Sequence, residues 1–170
     1  MEFDKIGYWS EVKLDIIKEY ASAYSTILSG TKEASFHHVY IDAFAGAGIH
    51  ISKTTGETVA GSPLNALWVQ PPFREYHFID LDGEKVAFLK ATIGSRRDVY
   101  LYEGDCNVKL LAEVFPKVKY SDYRRGLCVL DPYGLHLKWD VLKEAARMKT
   151  LEIFLNFPVA DMNRNVFWRH

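Results

Sequence analysis

Cysteine is scarce in this sequence: its 170 residues contain two, Cys106 and Cys128, with no C-x-x-C pair. That excludes a disulfide framework and a cysteine-based zinc site, and it fits a reducing cytoplasm in a chain that opens without a secretory leader pattern. Long hydrophobic runs are missing too. None approaches the ~20 residues that cross a bilayer, so no membrane association is expected. Charge of one sign is also lacking. The net charge of −1 leaves no global basic footprint of the kind that drives non-specific nucleic-acid binding. A nucleic-acid site would have to be local, at Arg96-Arg97, in the Lys117/Lys119/Arg124/Arg125 segment, or in the tail with Arg164 and Arg169. Solvated surface charge is the better account of each of these. The histidines, including His37-His38, His50, His77 and His136, show no metal-ligand spacing, and no metal is expected. Nothing repeats, and no segment is of low complexity.

What is present suits a single domain over 1–170, large enough to bury a core without staples. Residues 1–30 carry an N-terminal helix: over 9–29, Leu14, Ile17, Ala21, Tyr24 and Leu28 recur at helical spacing, with Ser10 as the expected N-cap and Gly30 as the stop. The texture then changes. Short apolar runs at 37–44, 76–80, 98–102, 126–131 and 151–157 read as strands. Helical patterns alternate with them at 61–69, where Ser62 is the expected N-cap and Pro63 the first helical residue, and at 83–93, 107–115 and 137–148. This alternation across a 37–157 core predicts an α/β fold, a mostly parallel twisted sheet with helices on both faces. Ligands of such sheets sit at the carboxyl ends of the strands, near the topological switch point. Residues 49–60 interrupt the pattern and read as a surface hairpin or as a lid over a ligand.

Four strand ends carry candidate chemistry. After strand one comes Asp42-Ala43-Phe44-Ala45-Gly46-Ala47-Gly48, in which Gly46 and Gly48 let the backbone approach a ligand, or simply make a tight strand-to-helix turn. A dinucleotide fingerprint would need a third glycine where Ile51 stands, which counts against a nicotinamide-dependent oxidoreductase. After strand two, Asp80 suits the two hydroxyls of a ribose, with Asp82 as a competitor. The gap from Gly48 to Asp80 exceeds the ~20 residues usual for that arrangement, and the 49–60 insertion accounts for the excess. After strand three, Asp105 can accept from an adenine amine while the Cys106 N–H reaches a ring nitrogen, although Asp105 also makes a good helix N-cap. After strand four stands Asp131-Pro132-Tyr133-Gly134, a sequence that by itself also suits a reverse turn.

This order of a glycine turn, an acid, Gly-Asp and Asp-Pro-aromatic resembles the layout of class I S-adenosylmethionine-dependent methyltransferases, a Rossmann-like fold. More specifically, GYWSEVKL, YIDAFAGAG, GSPLNAL, YHFIDLDG, YEGDCN, LDPYGLHLKW and EIFLNFPVADMNRN are similar to the three-Cys-motif partner proteins, a bacterial methyltransferase-like family. The resemblance implies S-adenosylmethionine as cofactor, with Asp42, Gly46 and Gly48 near its methionine end, Asp80 at the ribose, and Asp105 and Cys106 at the adenine. It places Asp131, Pro132 and Tyr133 at the transferred methyl, acting on an exocyclic amine such as that of a nucleobase. A three-Cys-motif protein is the implied partner, and a nucleic acid the implied substrate class.

Two departures set the alternatives. Amine-modifying relatives read Asp/Asn-Pro-Pro-aromatic, whereas this chain has one proline and its aromatic a position early, so the orientation of Tyr133 differs. Class I methyltransferases also add two strands after the fifth, whereas only the short tail 158–170 follows here. The expectation is a C-terminally incomplete chain; otherwise a partner or a second copy pairs with the apolar strand-five edge. Both departures also suit a non-catalytic binding subunit.

Overall fold

A computed structural model describes residues 3–30, 36–157, 159 and 162–163. The Arg164 and Arg169 tail and most of 158–170 lie outside the described residues. Five strands form one all-parallel sheet: β2 (His37–Asp42), β5 (Glu75–Asp80), β6 (Val99–Glu103), β7 (Arg124–Leu130) and β8 (Leu151–Leu155), ordered β6-β5-β2-β7-β8. The chain therefore builds outward from β2 to one edge and then crosses back to the other. The switch point falls between β2 and β7.

Both faces of the sheet are covered, which explains why the strands read as near-continuous apolar runs. Alternate residues go to opposite sides. Val39, Ile41, Cys128 and Leu130 join a cluster with Leu110, Val114, Val141 and Ala145. Tyr40, Leu127 and Val129 face the other way, onto Ile17, Ala21, Ala66 and Leu89. The first layer contains α4 (Cys106–Lys109) with its continuation and α5 (Trp139–Met148); the second contains α1 (Tyr8–Ser29), α2 (Ser62–Leu67) and α3 (Gly83–Ile93). This is the Rossmann-like α/β architecture expected from the alternation. Among the described residues, no helix is long and apolar enough to cross a membrane.

The differences are local. Helix α1 starts at Tyr8 with Gly7 as its N-cap, because the Gly7 carbonyl accepts from both Ser10 and Glu11 N–H; Ser10 lies inside the helix. Gly61 likewise caps α2, its carbonyl accepting from Asn65 N–H, and Ser62 is the first helical residue. The 107–115 pattern is not one regular helix: α4 widens into a π-turn over Leu110–Val114 and then tightens into a 3-10 turn over Phe115–Lys117. Helix α5 begins at Trp139 rather than 137, since the Lys138 N–H is drawn out of the helical pattern by the Asn107 side chain at 2.7 Å. Residues 49–60 form the hairpin β3 (Ile49–Ser52) and β4 (Thr58–Ala60), which pairs with an unanticipated strand, β1 (Lys5–Ile6), in a second, three-stranded sheet.

Candidate active site

The strand carboxyl ends surround a hollow of about 400 Å³. Its walls come from the turn after β2 (Ala43, Phe44), the end of β5 (Asp80, Leu81), the turn after β6 (Gly104, Asp105, Cys106) and the loop after β7 (Tyr133, His136). That size is ordinary for a small-molecule or cofactor site. A second hollow, of about 320 Å³, shares Phe44 and Tyr133 with the first and adds Asp131, Ser10, Lys13 and His50. Tyr133 is 69% exposed and stands between the two.

Asp80 ties the glycine turn to β5. Its Oδ2 accepts from Gly46 N–H at 2.8 Å and its Oδ1 from Asp82 N–H at 2.9 Å. A carboxylate offers about four lone-pair positions, so these bonds leave capacity for a ligand's hydroxyls. Asp82 caps α3, its Oδ1 accepting from Glu84 N–H at 2.9 Å, and it is not among the residues lining this hollow. Gly46 (φ 62°) has open space where a Cβ would point. Gly48 (φ 78°) differs. A Cβ there would lie 2.6 Å from Leu89 Cδ1 and would have to displace that buried side chain of α3; neither glycine is among the residues lining either hollow.

Asp42 lies behind the hollows and is buried. Burial pushes its carboxyl up to about 7, opposed by the Ser62 hydroxyl and the Phe44 N–H and reinforced by Asp131 and Asp80. Oδ1 accepts from Phe44 N–H at 3.1 Å, while Oδ2 has no hydrogen-bond partner among the described residues. An uncompensated buried oxygen favours the protonated acid.

Asp105 is the N-cap of α4. Its Oδ1 takes both the N–H and the side-chain amide of Asn107, at 2.7 and 2.8 Å, and these bonds hold its carboxyl below the ordinary value. Capping thus uses one oxygen and leaves the other for a ligand. Burial pushes the Cys106 thiol up to about 11, so it stays neutral at pH 7 and only its backbone suits a ligand.

Sequence reasoning passed over Asn107, which is buried and holds the far end of the loop after β7. Its amide donates to the His136 carbonyl at 3.0 Å, and its carbonyl accepts from Lys138 N–H. The only signal available was its position two residues after a capping Asp. Lys13 and Asn156 were also passed over. Lys13 lies 2.5 Å from Asp131 Oδ2, and the Asn156 amide donates to Oδ1 at 2.7 Å. Neither could be placed there without the fold, since α1 and the segment after β8 are remote in sequence. Pro132 is buried and lines neither hollow, but an apolar groove with Leu137 and Leu155.

Part of the basic residues considered for nucleic acid is engaged elsewhere. Arg96 pairs with Asp98, Arg124 with Glu75, Lys117 covers the Tyr100 and Tyr102 rings, and Arg125 stacks on Tyr120.

No family model matches the chain, and no curated protein does. Among solved structures, the chain is similar to a Legionella pneumophila protein described by the family label DUF519. They share 18% identity and a TM-score of 0.51 over 82% of this chain and 66% of that one. A conserved hypothetical protein of Streptococcus pyogenes aligns at 15% identity with a TM-score of 0.46, over 69% of this chain and 62% of its own. The chain thus spans just under two thirds of the length of each. The Legionella likeness extends to the fold.

Proposed function

We propose that the chain is an S-adenosylmethionine-dependent methyltransferase that modifies an exocyclic amine, as in a nucleobase. The observation that carries this reading is that Asp80 and Asp105, at the ends of the adjacent strands β5 and β6, line one 400 Å³ hollow, each with carboxylate capacity to spare. Two such acids suit the ribose and adenine ends of a nucleoside. The open side of Gly46 suits the methionine end, with Asp42 behind it. The bound cofactor supplies an electrophilic sulfonium methyl. The chain's own residues do the rest. Asp131 accepts from the acceptor's N–H and stabilises positive charge as it develops on nitrogen. Tyr133, on the shared wall, offers a ring face for stacking. Confinement between the two hollows supplies orientation.

A second reading is a non-catalytic subunit that works with a three-Cys-motif protein. It draws on the occupancy of Asp131, whose two oxygens already meet Lys13 and Asn156. Incubation with methyl-labelled S-adenosylmethionine and total cellular RNA separates the two. Label transferred by the wild type and not by Asp131→Ala supports the enzyme. Cofactor binding without transfer to RNA, DNA or protein, in wild type and variant alike, supports the subunit.

A further inference from the structure

The second hollow bears on what the acceptor carries besides its amine. Its ionisable lining residues are Asp4, Lys5, Lys13, His50, Lys53, Asp131 and Tyr133. Most of that charge is spent internally. Lys13 pairs with Asp131, and Asp4 pairs with Lys85 of α3 at 2.6 Å. Burial lowers the pKa of His50, which leaves it neutral at pH 7. Two cations remain. Lys5 and Lys53 have no ion pair among the described residues, and both line the hollow.

The three-stranded sheet brings them together. Lys5 lies opposite Ile51 in the parallel β1–β3 pairing, and Lys53 N–H donates to the Ile6 carbonyl at 2.8 Å. Two lysines remote from each other in sequence thus line one space, together with Tyr133, Phe44 and Asp131. Lysine binds phosphate as a compact point charge, without the fixed fork by which arginine grips phosphate and carboxylate alike. Among the described residues, no arginine lines this hollow.

We propose that the methyl-accepting substrate carries a phosphate next to its amine-bearing ring, and that Lys5 and Lys53 hold that phosphate. The substrate is then a nucleotide, free or within a strand, and the 49–60 hairpin is part of its binding site. This rests on the reading that the second hollow receives the acceptor.

The test is fluorescence anisotropy with a short, labelled single-stranded RNA of mixed sequence. Adenosine and cytidine monophosphates and their nucleosides serve as competitors, and S-adenosylhomocysteine binding is titrated separately. The Lys5→Ala/Lys53→Ala variant is expected to bind RNA at least ~10-fold more weakly. Its plot of log affinity against log salt should be shallower by about 0.7, for the one phosphate charge no longer neutralised. Lys→Arg at both positions should retain binding, and S-adenosylhomocysteine affinity should not change. Competition by the monophosphates but not the nucleosides identifies a free nucleotide as sufficient; binding of RNA alone identifies the strand. The proposal is overturned if the double variant binds like the wild type with the same salt slope, or if the wild type binds none of the probes. S-adenosylhomocysteine binding that persists in that case confines the failure to the phosphate anchor and leaves the cofactor reading standing.

Discussion

Asp80 Oδ2 receives the Gly46 N–H at 2.8 Å, so one carboxylate fixes the turn after the central strand while forming a wall of the larger hollow. The same side chain therefore acts on the turn's conformation and on whatever ligand the turn faces. The two glycines of that turn have unequal jobs, and the inequality can be measured.

At Gly48, alanine meets Leu89 Cδ1 at 2.6 Å in a backbone with φ 78°. Overpacking and left-handed strain together should cost about 2–4 kcal/mol in a urea melt. Gly46→Ala meets no neighbour within 4 Å, and its left-handed backbone alone should cost about 1–2 kcal/mol. Equal losses in the two variants would contradict the packing role of Gly48.

Asp42 makes stability depend on pH. Its folded pKa of about 7 lies above its ordinary 3.8, so between those values the folded chain holds a proton that the unfolded chain has released. Stability from this group is fully present below about 4, declines as pH rises through 7, and is constant above it. Asp42→Asn keeps an acceptor for Phe44 N–H and should remove that decline. Thermal melts of both proteins from about pH 4 to 8 should converge at the acidic end and separate, with the variant higher, at the basic end.

Asn107 joins the Asp105 cap to the loop that follows β7. Asn107→Ala removes the bonds to the His136 carbonyl and from Lys138 N–H at once. A loss of about 1–3 kcal/mol is expected, at about 0.5–1.5 kcal/mol for each of the two part-buried bonds. Hydrogen exchange should speed up at Lys138 and in the 132–138 loop while the β2 and β7 amides keep their protection. Unchanged exchange in the loop would show that other interactions hold it.

The sheet was legible because both faces of a parallel strand are buried, and that writes near-continuous apolar runs into 37–44, 76–80 and 126–131. Gly30 as the stop of α1 and Asp105 as a cap were legible for a similar reason: each acts on backbone within a few residues. Strand β1 was not, since Lys5–Ile6 is too short to show a period and forms only by pairing with Ile51 and Ser52. The Lys13–Asp131 pair was hidden because its members are far apart in the chain, and nothing local to α1 marks one lysine among several. The contact of Gly48 with Leu89 was not legible because a glycine that packs closely and one that faces a ligand look alike in a sequence. The start of α5 was missed because a side chain from another element, Asn107, sets it.

The most direct test of the central claim is calorimetric titration of the folded chain with S-adenosylhomocysteine. The account predicts micromolar binding to the wild type that is lost in Asp80→Ala and strongly weakened in Asp105→Ala. No binding by the folded wild type, or equal binding by all three proteins, would contradict it.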